Sequence, residues 1–165
     1  MKQDFDSDNK LAALAGVCFA AGSLVPVISM VLFFVYGTTF EIEFVIFFIG
    51  LLPIFVAFLC GQMYGIDILN EKLVENSWQA IKKGIKVTLV SYAVYIPVFA
   101  ILFALYQTLF HLQLGEWRTV AFFKNLVLGL IIPGFFGLLI IGWTLPLIGA
   151  AVGWLLFKFK LSRQI

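Results

Sequence analysis

Residues 126–157 read LVLGLIIPGFFGLLIIGWTLPLIGAAVGWLLF and contain no Asp, Glu, Lys, Arg or His. As a helix rising 1.5 Å per residue this run is about 48 Å long, against a bilayer hydrocarbon core of about 30 Å. A water-soluble domain has no use for such a stretch, so it predicts a membrane span. The excess length requires tilt, a kink or burial of one end in protein. A split near Gly142 into two re-entrant halves is the alternative.

Three more apolar runs follow the same logic: 11–36, 44–60 and 87–110. The 165 residues are 62% hydrophobic and 12% charged, where soluble domains carry about twice that charge. The expected fold is an all-α integral membrane protein, residues 1–165 forming a single transmembrane domain of four helices in a bundle. The N-terminal MKQDFDSDNK carries Asp4, Asp6 and Asp8, unlike the basic start of a secretory signal. The first apolar run is also too long for a signal, so it is expected to stay as span one, with residues 1–10 disordered or surface-lying.

The lysines and arginines set the orientation. If the turn at 37–43 and the loop at 111–125 lie outside, they hold only Arg118 and Lys124. The opposite side then holds Lys2, Lys10, Lys72, Lys82, Lys83, Lys86, Lys158, Lys160 and Arg163. Cytoplasmic loops carry the basic excess, so both termini are expected inside, in the plasma (inner) membrane. Tyr36 and Trp117 fall near the outer interface, and Tyr64, Trp78 and Trp154 near the inner one, as anchoring aromatics do.

The segment 61–86 is the most polar interior stretch. Ile66, Leu69, Leu73, Trp78, Ile81 and Ile85 recur at helical spacing, with Asp67, Glu71 and Glu75 opposite and Lys82, Lys83 and Lys86 at the end. Acids early and bases late suit the helix dipole. An amphipathic cytoplasmic helix on the membrane surface is expected, or an extension of span two, with Gly84 breaking it from span three. Glu71, Glu75, Trp78, Lys82, Lys83 and Lys86 are its candidate contacts with lipid headgroups or a cytoplasmic partner.

Chemistry is sparse. The four spans hold no Asp, Glu, Lys, Arg or His, which disfavours a proton- or ion-coupled path, since such paths are marked by intramembrane ionisable groups. No metal-ligand spacing, phosphate-cradling loop or paired acids occur in them, and His111 with Glu116 is the one His–acid pairing, in a loop. Cys18 and Cys60 read as small buried hydrophobes. Neither an enzyme nor a cofactor is expected. A net charge of +2 without a basic patch gives no footprint for nucleic acid.

The positive signal is helix association, which in lipid depends on close approach at small residues. Gly149-Ala-Ala-Val-Gly153 is a GxxxG match, and Ala12, Gly16 and Ala20 repeat every four residues. Both patches fall toward the inner half, where they could face each other or dock a partner. Val25-Pro26-Val27 resembles Ile96-Pro97-Val98, and Gly50–Pro53 resembles Leu130–Pro133, a weak parallel repeat of two hairpins. All five prolines lie within spans and predict bends.

In size, span number and both termini on one side, the chain is similar to the immunity proteins of pore-forming bacteriocins. The likeness is one of layout, and it implies inhibition through membrane contacts. The expected function is non-enzymatic: an accessory subunit, assembly factor or inhibitor within a larger membrane complex, with lipids and other integral subunits or a second copy as partners. The alternative is a small transporter or channel subunit for an apolar or uncharged solute.

Overall fold

The structure, a computed structural model, describes residues 2–37, 45–69, 74–110 and 118–162. These form helices throughout, apart from 74–76 and a two-residue turn at 142–143. Helix α1 is Lys2–Gly37 and α3 is Ser77–Phe110. Helix α2 (45–69) joins π-helical Val45–Leu51, α-helical Leu52–Cys60, π-helical Gly61–Gly65 and a last turn Ile66–Leu69. Helix α4 (118–141) joins Arg118–Ile131, π-helical Ile132–Gly137 and Leu138–Ile141, and α5 is Thr144–Ser162. Four segments are long and apolar enough to cross a membrane: Asn9–Leu32, Phe48–Leu69, Ser77–Leu109 and Thr144–Ser162.

The neighbours antiparallel to one another close a bundle. Tyr95 on α3 meets Phe48 on α2, whereas Lys83 meets Asp67, so α2 and α3 run in opposite directions. Gly16 of α1 packs on Phe58 and Gln62, and Gly65 of α2 on Ala15 and Phe19. Along α3, Gly129 approaches Ala100, Gly137 approaches Tyr92, Gly149 approaches Gly84 and Ile85, and Gly153 approaches Ala80. As the α4–α5 number rises, the α3 number falls without reversing. The chain therefore continues past Gly142 in one direction and is not folded back there, and α4 and α5 together form the fourth arm.

Prolines and π-turns coincide on two arms. A proline lacks the amide hydrogen, and its ring clashes with the carbonyl four residues back, a conflict that a locally wider turn relieves. Pro53 is the second residue of Leu52–Cys60, which follows the π-helical Val45–Leu51, Pro133 lies within Ile132–Gly137, and Pro146 sits in the first turn of α5 after the break at 142–143. Pro26 and Pro97 lie inside α1 and α3. The two halves of the weak repeat are not equivalent in packing: Pro26 is buried and Pro97 exposed.

Three expectations are corrected. Among the described residues no separate amphipathic helix lies between arms two and three: 61–69 continues α2, as the alternative reading had it, and α3 already begins at Ser77. The reason is a cap. The Gln79 amide donates to Asn76 Oδ1 (2.9 Å) and the Glu75 amide to Gln79 Oε1 (2.9 Å), satisfying amides at the helix start that would otherwise lack partners. Gly84 is not a break either. It lies within α3 and is buried, where its missing side chain admits a neighbouring backbone. The polar N-terminal residues are likewise helical from Lys2. Glu71, Lys72, His111, Glu116, Trp117 and Arg163, and the turn at 38–44, lie outside the described residues.

The core has two storeys. One is aromatic and holds Met30, Phe48, Ile49, Val56, Cys60, Tyr95, Phe99 and Phe103. On α3 the rings of Tyr92, Tyr95, Phe99 and Phe103 follow each other at 5.7–6.2 Å between centroids, within the range in which aromatic pairs attract. The other storey is aliphatic and small: Ala15, Phe19, Ile68, Leu69, Val74, Ala80, Val87, Val152, Leu156 and Phe157. Large apolar side chains also cover the outside, among them Val25, Ile28 and Leu32 on α1, Ile101 and Leu105 on α3, and Leu138, Leu139 and Trp143 on the fourth arm. Soluble monomers rarely expose an apolar surface of this extent.

Candidate functional site

The small residues singled out for association do most of their contacting inside the bundle. Gly149 and Gly153 are buried on α5. A Cβ on Gly149 would stand 2.7 Å from the Gly84 carbonyl oxygen and from Ile85 Cα, and one on Gly153 would run into the Ala80 carbonyl. Gly84 reciprocates, since its Cβ would run into the Gly149 carbonyl. Backbone thus lies on backbone across α3 and α5, a contact that dispersion rewards in lipid. Gly16 is buried against α2 at Phe58 and Gln62, with Ala12 and Ala20 half-buried. The two patches do not face each other. Each opposes a different helix, and α1 meets α5 through Gly22, close to Ile148 and Val152.

Between the two storeys lies a cavity to which every arm contributes. Its walls are Ser23, Pro26, Val27 and Met30 from α1, Pro53 and Ala57 from α2, Thr88, Ser91, Tyr92 and Tyr95 from α3, and Leu145 from α5. It offers about 60 Å³ to the centres of water-sized molecules. Its hydroxyls are turned to their own helices: Ser23 donates to the Ala20 carbonyl (2.7 Å), Thr88 to Gly84 (3.1 Å) and Ser91 to Val87 (2.8 Å). Tyr95 donates to the Phe48 carbonyl at 3.2 Å. No charged side chain among the described residues lines the space. The wall can accept a small uncharged molecule, and it offers an ion no countercharge.

Asp67, Glu75, Lys82, Lys83, Lys86, Lys158 and Lys160 collect at one end, whereas Arg118 and Lys124 stand on the first turns of α4 at the other. Lys83 Nζ lies 3.7 Å from Asp67 Oδ2, and Lys160 Nζ donates 2.8 Å to the Val74 carbonyl. Lys82 sits over the Trp78 ring at 5.3 Å and Lys158 over Trp154 at 4.3 Å. Trp78, Lys82, Lys86 and Glu75 are exposed and Lys83 is half-buried. Ammonium groups held on ring faces beside an apolar bundle are the arrangement found where a helix leaves hydrocarbon for water. Sequence reasoning placed Asp67, Glu75, Trp78, Lys82, Lys83 and Lys86 on a surface helix or an extension of span two; the structure divides them between the end of α2, the connection at 74–76 and the start of α3. Lys160, buried against the 74–76 connection, was missed, and its one sequence signal was a place among the basic residues of the tail.

Among the described residues no three His, Cys, Asp or Glu side chains come together. Cys60 is buried and Cys18 half-buried, on α2 and α1. Comparison with family models, with curated proteins and with solved structures gave no match to this chain.

Proposed function

We propose that the chain is a non-enzymatic multi-pass membrane protein that acts through contacts, as an accessory subunit, assembly factor or inhibitor of a larger membrane complex. An inhibitor of the immunity-protein kind is one form of this role. The observation that carries the reading is the interior: aliphatic and aromatic packing, backbone-bonded hydroxyls and a small cavity without charged lining. Such an interior gives the arms rigidity and leaves their outer faces for partners.

Both termini are assigned to the cytoplasmic face of the plasma (inner) membrane. The support is the gathering of Lys82, Lys83, Lys86, Lys158 and Lys160 at one end, as the positive-inside rule requires. Because Gly149 and Gly153 are occupied within the bundle, partners fall to exposed positions such as Val25 and Leu139. Photocrosslinkers at those two positions in native membranes test this. A discrete crosslinked protein is the expected result, and lipid adducts alone at both positions would remove the basis of the reading.

A second reading, a carrier of a small uncharged solute, is favoured by the cavity. Pro26 and Pro53 flank it, where bends could open it. Liposomes containing the protein and passing no neutral solute faster than empty ones would dismiss that alternative.

A further inference from the structure

Between the last turns of α2 and the first half of α3 lies a second hollow, lined by Tyr64, Asp67, Lys83, Lys86, Val87 and Val90. It is larger than the central cavity, with about 320 Å³ open to the centres of water-sized molecules. Its rim is polar and its floor apolar. Lys83 shares Asp67 at 3.7 Å, a long ion pair between partly exposed groups, worth little in itself. Lys86 is exposed and makes no ion pair among the described residues. Two ammonium groups and one carboxylate leave the rim with a positive balance.

The helix continues the hollow downward. Positions 83, 86, 87 and 90 share one face of α3, and the same face carries Val94, Pro97 and Ile101 at the following turns. Val94 and Ile101 are exposed, as is Pro97. From Lys86 to Pro97 the rise is about 16 Å, the depth of one leaflet. A polar head on the lysines would therefore continue into a chain lying along an open apolar stripe.

We infer that this hollow holds an acidic phospholipid, its phosphate on Lys83 and Lys86 and its acyl chain along Val87, Val90 and Val94. The Asp67 carboxylate repels phosphate and accepts from a hydroxyl, so a headgroup bearing hydroxyls, of the glycerol kind, fits the rim best. Free phosphate shares the lysine chemistry and gains nothing from the valine floor. The inference rests on reading these helices as membrane spans and is independent of any protein partner.

The test uses the full chain in nanodiscs of phosphatidylglycerol or phosphatidylcholine, followed by mild detergent extraction and native mass spectrometry of retained lipid. Phosphatidylglycerol should be retained over phosphatidylcholine. Lys86→Gln should weaken retention about fivefold, the effect of one lysine near an anionic headgroup. Lys82→Gln, on the Trp78 ring outside the hollow, should leave retention unchanged, and millimolar inorganic phosphate should not displace the lipid. Equal retention of both lipids, equal loss in both variants, or displacement by phosphate would each overturn the site alone. Failure to enter nanodiscs of either composition would overturn the membrane reading with it.

Discussion

Lys160 Nζ donates a hydrogen bond of 2.8 Å to the backbone carbonyl of Val74, 86 residues earlier in the chain. Only 9% of Lys160 is exposed, and Val74 is fully buried. The ammonium also lies 5.8 Å from the Phe157 ring centroid. The end of α5 thereby closes over the α2–α3 connection. A hydrogen bond from a charged donor contributes about 1.5–3 kcal/mol, so Lys160→Ala should cost about 2 kcal/mol. Lys160→Met should cost less, because it keeps the packed stem and removes the buried charge together with its bond. Denaturation in detergent measures both, and amide exchange at 74–76 should quicken in the alanine variant. Unchanged stability and exchange in Lys160→Ala would show that the clamp is idle.

The crossing of α3 and α5 makes a sharper claim, since its contact is backbone on backbone. Gly153→Leu must displace the Ala80 carbonyl, and overpacking of this kind costs about 1–3 kcal/mol or more. Leu155, two residues on and 55% exposed, should tolerate alanine within about 0.5 kcal/mol. Gly84 and Gly149 touch each other, so their alanine variants should not add. Once the first methyl has parted the helices, the second meets less resistance, and the double variant should cost less than the sum. Strict additivity in a double-mutant cycle would mean that the two helices are not in backbone contact.

Gly84 also shows how far the sequence could be read. A glycine among polar residues before an apolar run has two readings, a break or a close approach. Only the position of Gly149 on another helix separates them, and no one-dimensional period carries that information. The four apolar runs were legible because a hydrocarbon core imposes length and charge limits on each run separately. The apolar residues of 61–86 recur at helical spacing, but the division of that segment between α2 and α3 was not inferred. The signal was present: Asn76-Ser-Trp-Gln79 has the spacing of a capping box and marks a helix start ten residues ahead of the expected span. Small-residue patches do not name what they pack on, because a stripe of alanines and glycines is equally complementary to any neighbour.

The orientation has its own test. The loop expected at 111–125 ends inside α4, which begins at Arg118, so an outer reporter belongs before that residue. A reporter inserted in 111–117 and one fused after Ile165 should lie on opposite faces of the membrane, with the C-terminal one cytoplasmic. The basis is charge: the lysine end carries Lys82, Lys83, Lys86, Lys158 and Lys160, and juxtamembrane lysines are retained on the cytoplasmic side. Both reporters on the same face would mean that α4 and α5 do not cross together as one arm.

The central cavity separates the contact reading from the transport reading in a single substitution. Ala57 is buried, 7% exposed, and forms part of a wall enclosing about 60 Å³. Ala57→Val adds two methyl groups to that space. If the cavity is a packing defect, filling it restores dispersion contacts that its lining lacks, and stability should hold or rise by up to about 1 kcal/mol. If a solute passes through, the same methyl groups obstruct it, and flux into liposomes should fall while stability holds. A third outcome, a loss well beyond 1 kcal/mol, would point to ordered water bridging the oxygens of Ser23, Thr88 and Ser91, because a displaced water leaves its polar partners unsatisfied. The expected result is a small gain in the denaturation midpoint with no flux in either protein, since Ser23, Thr88 and Ser91 already donate to their own helices.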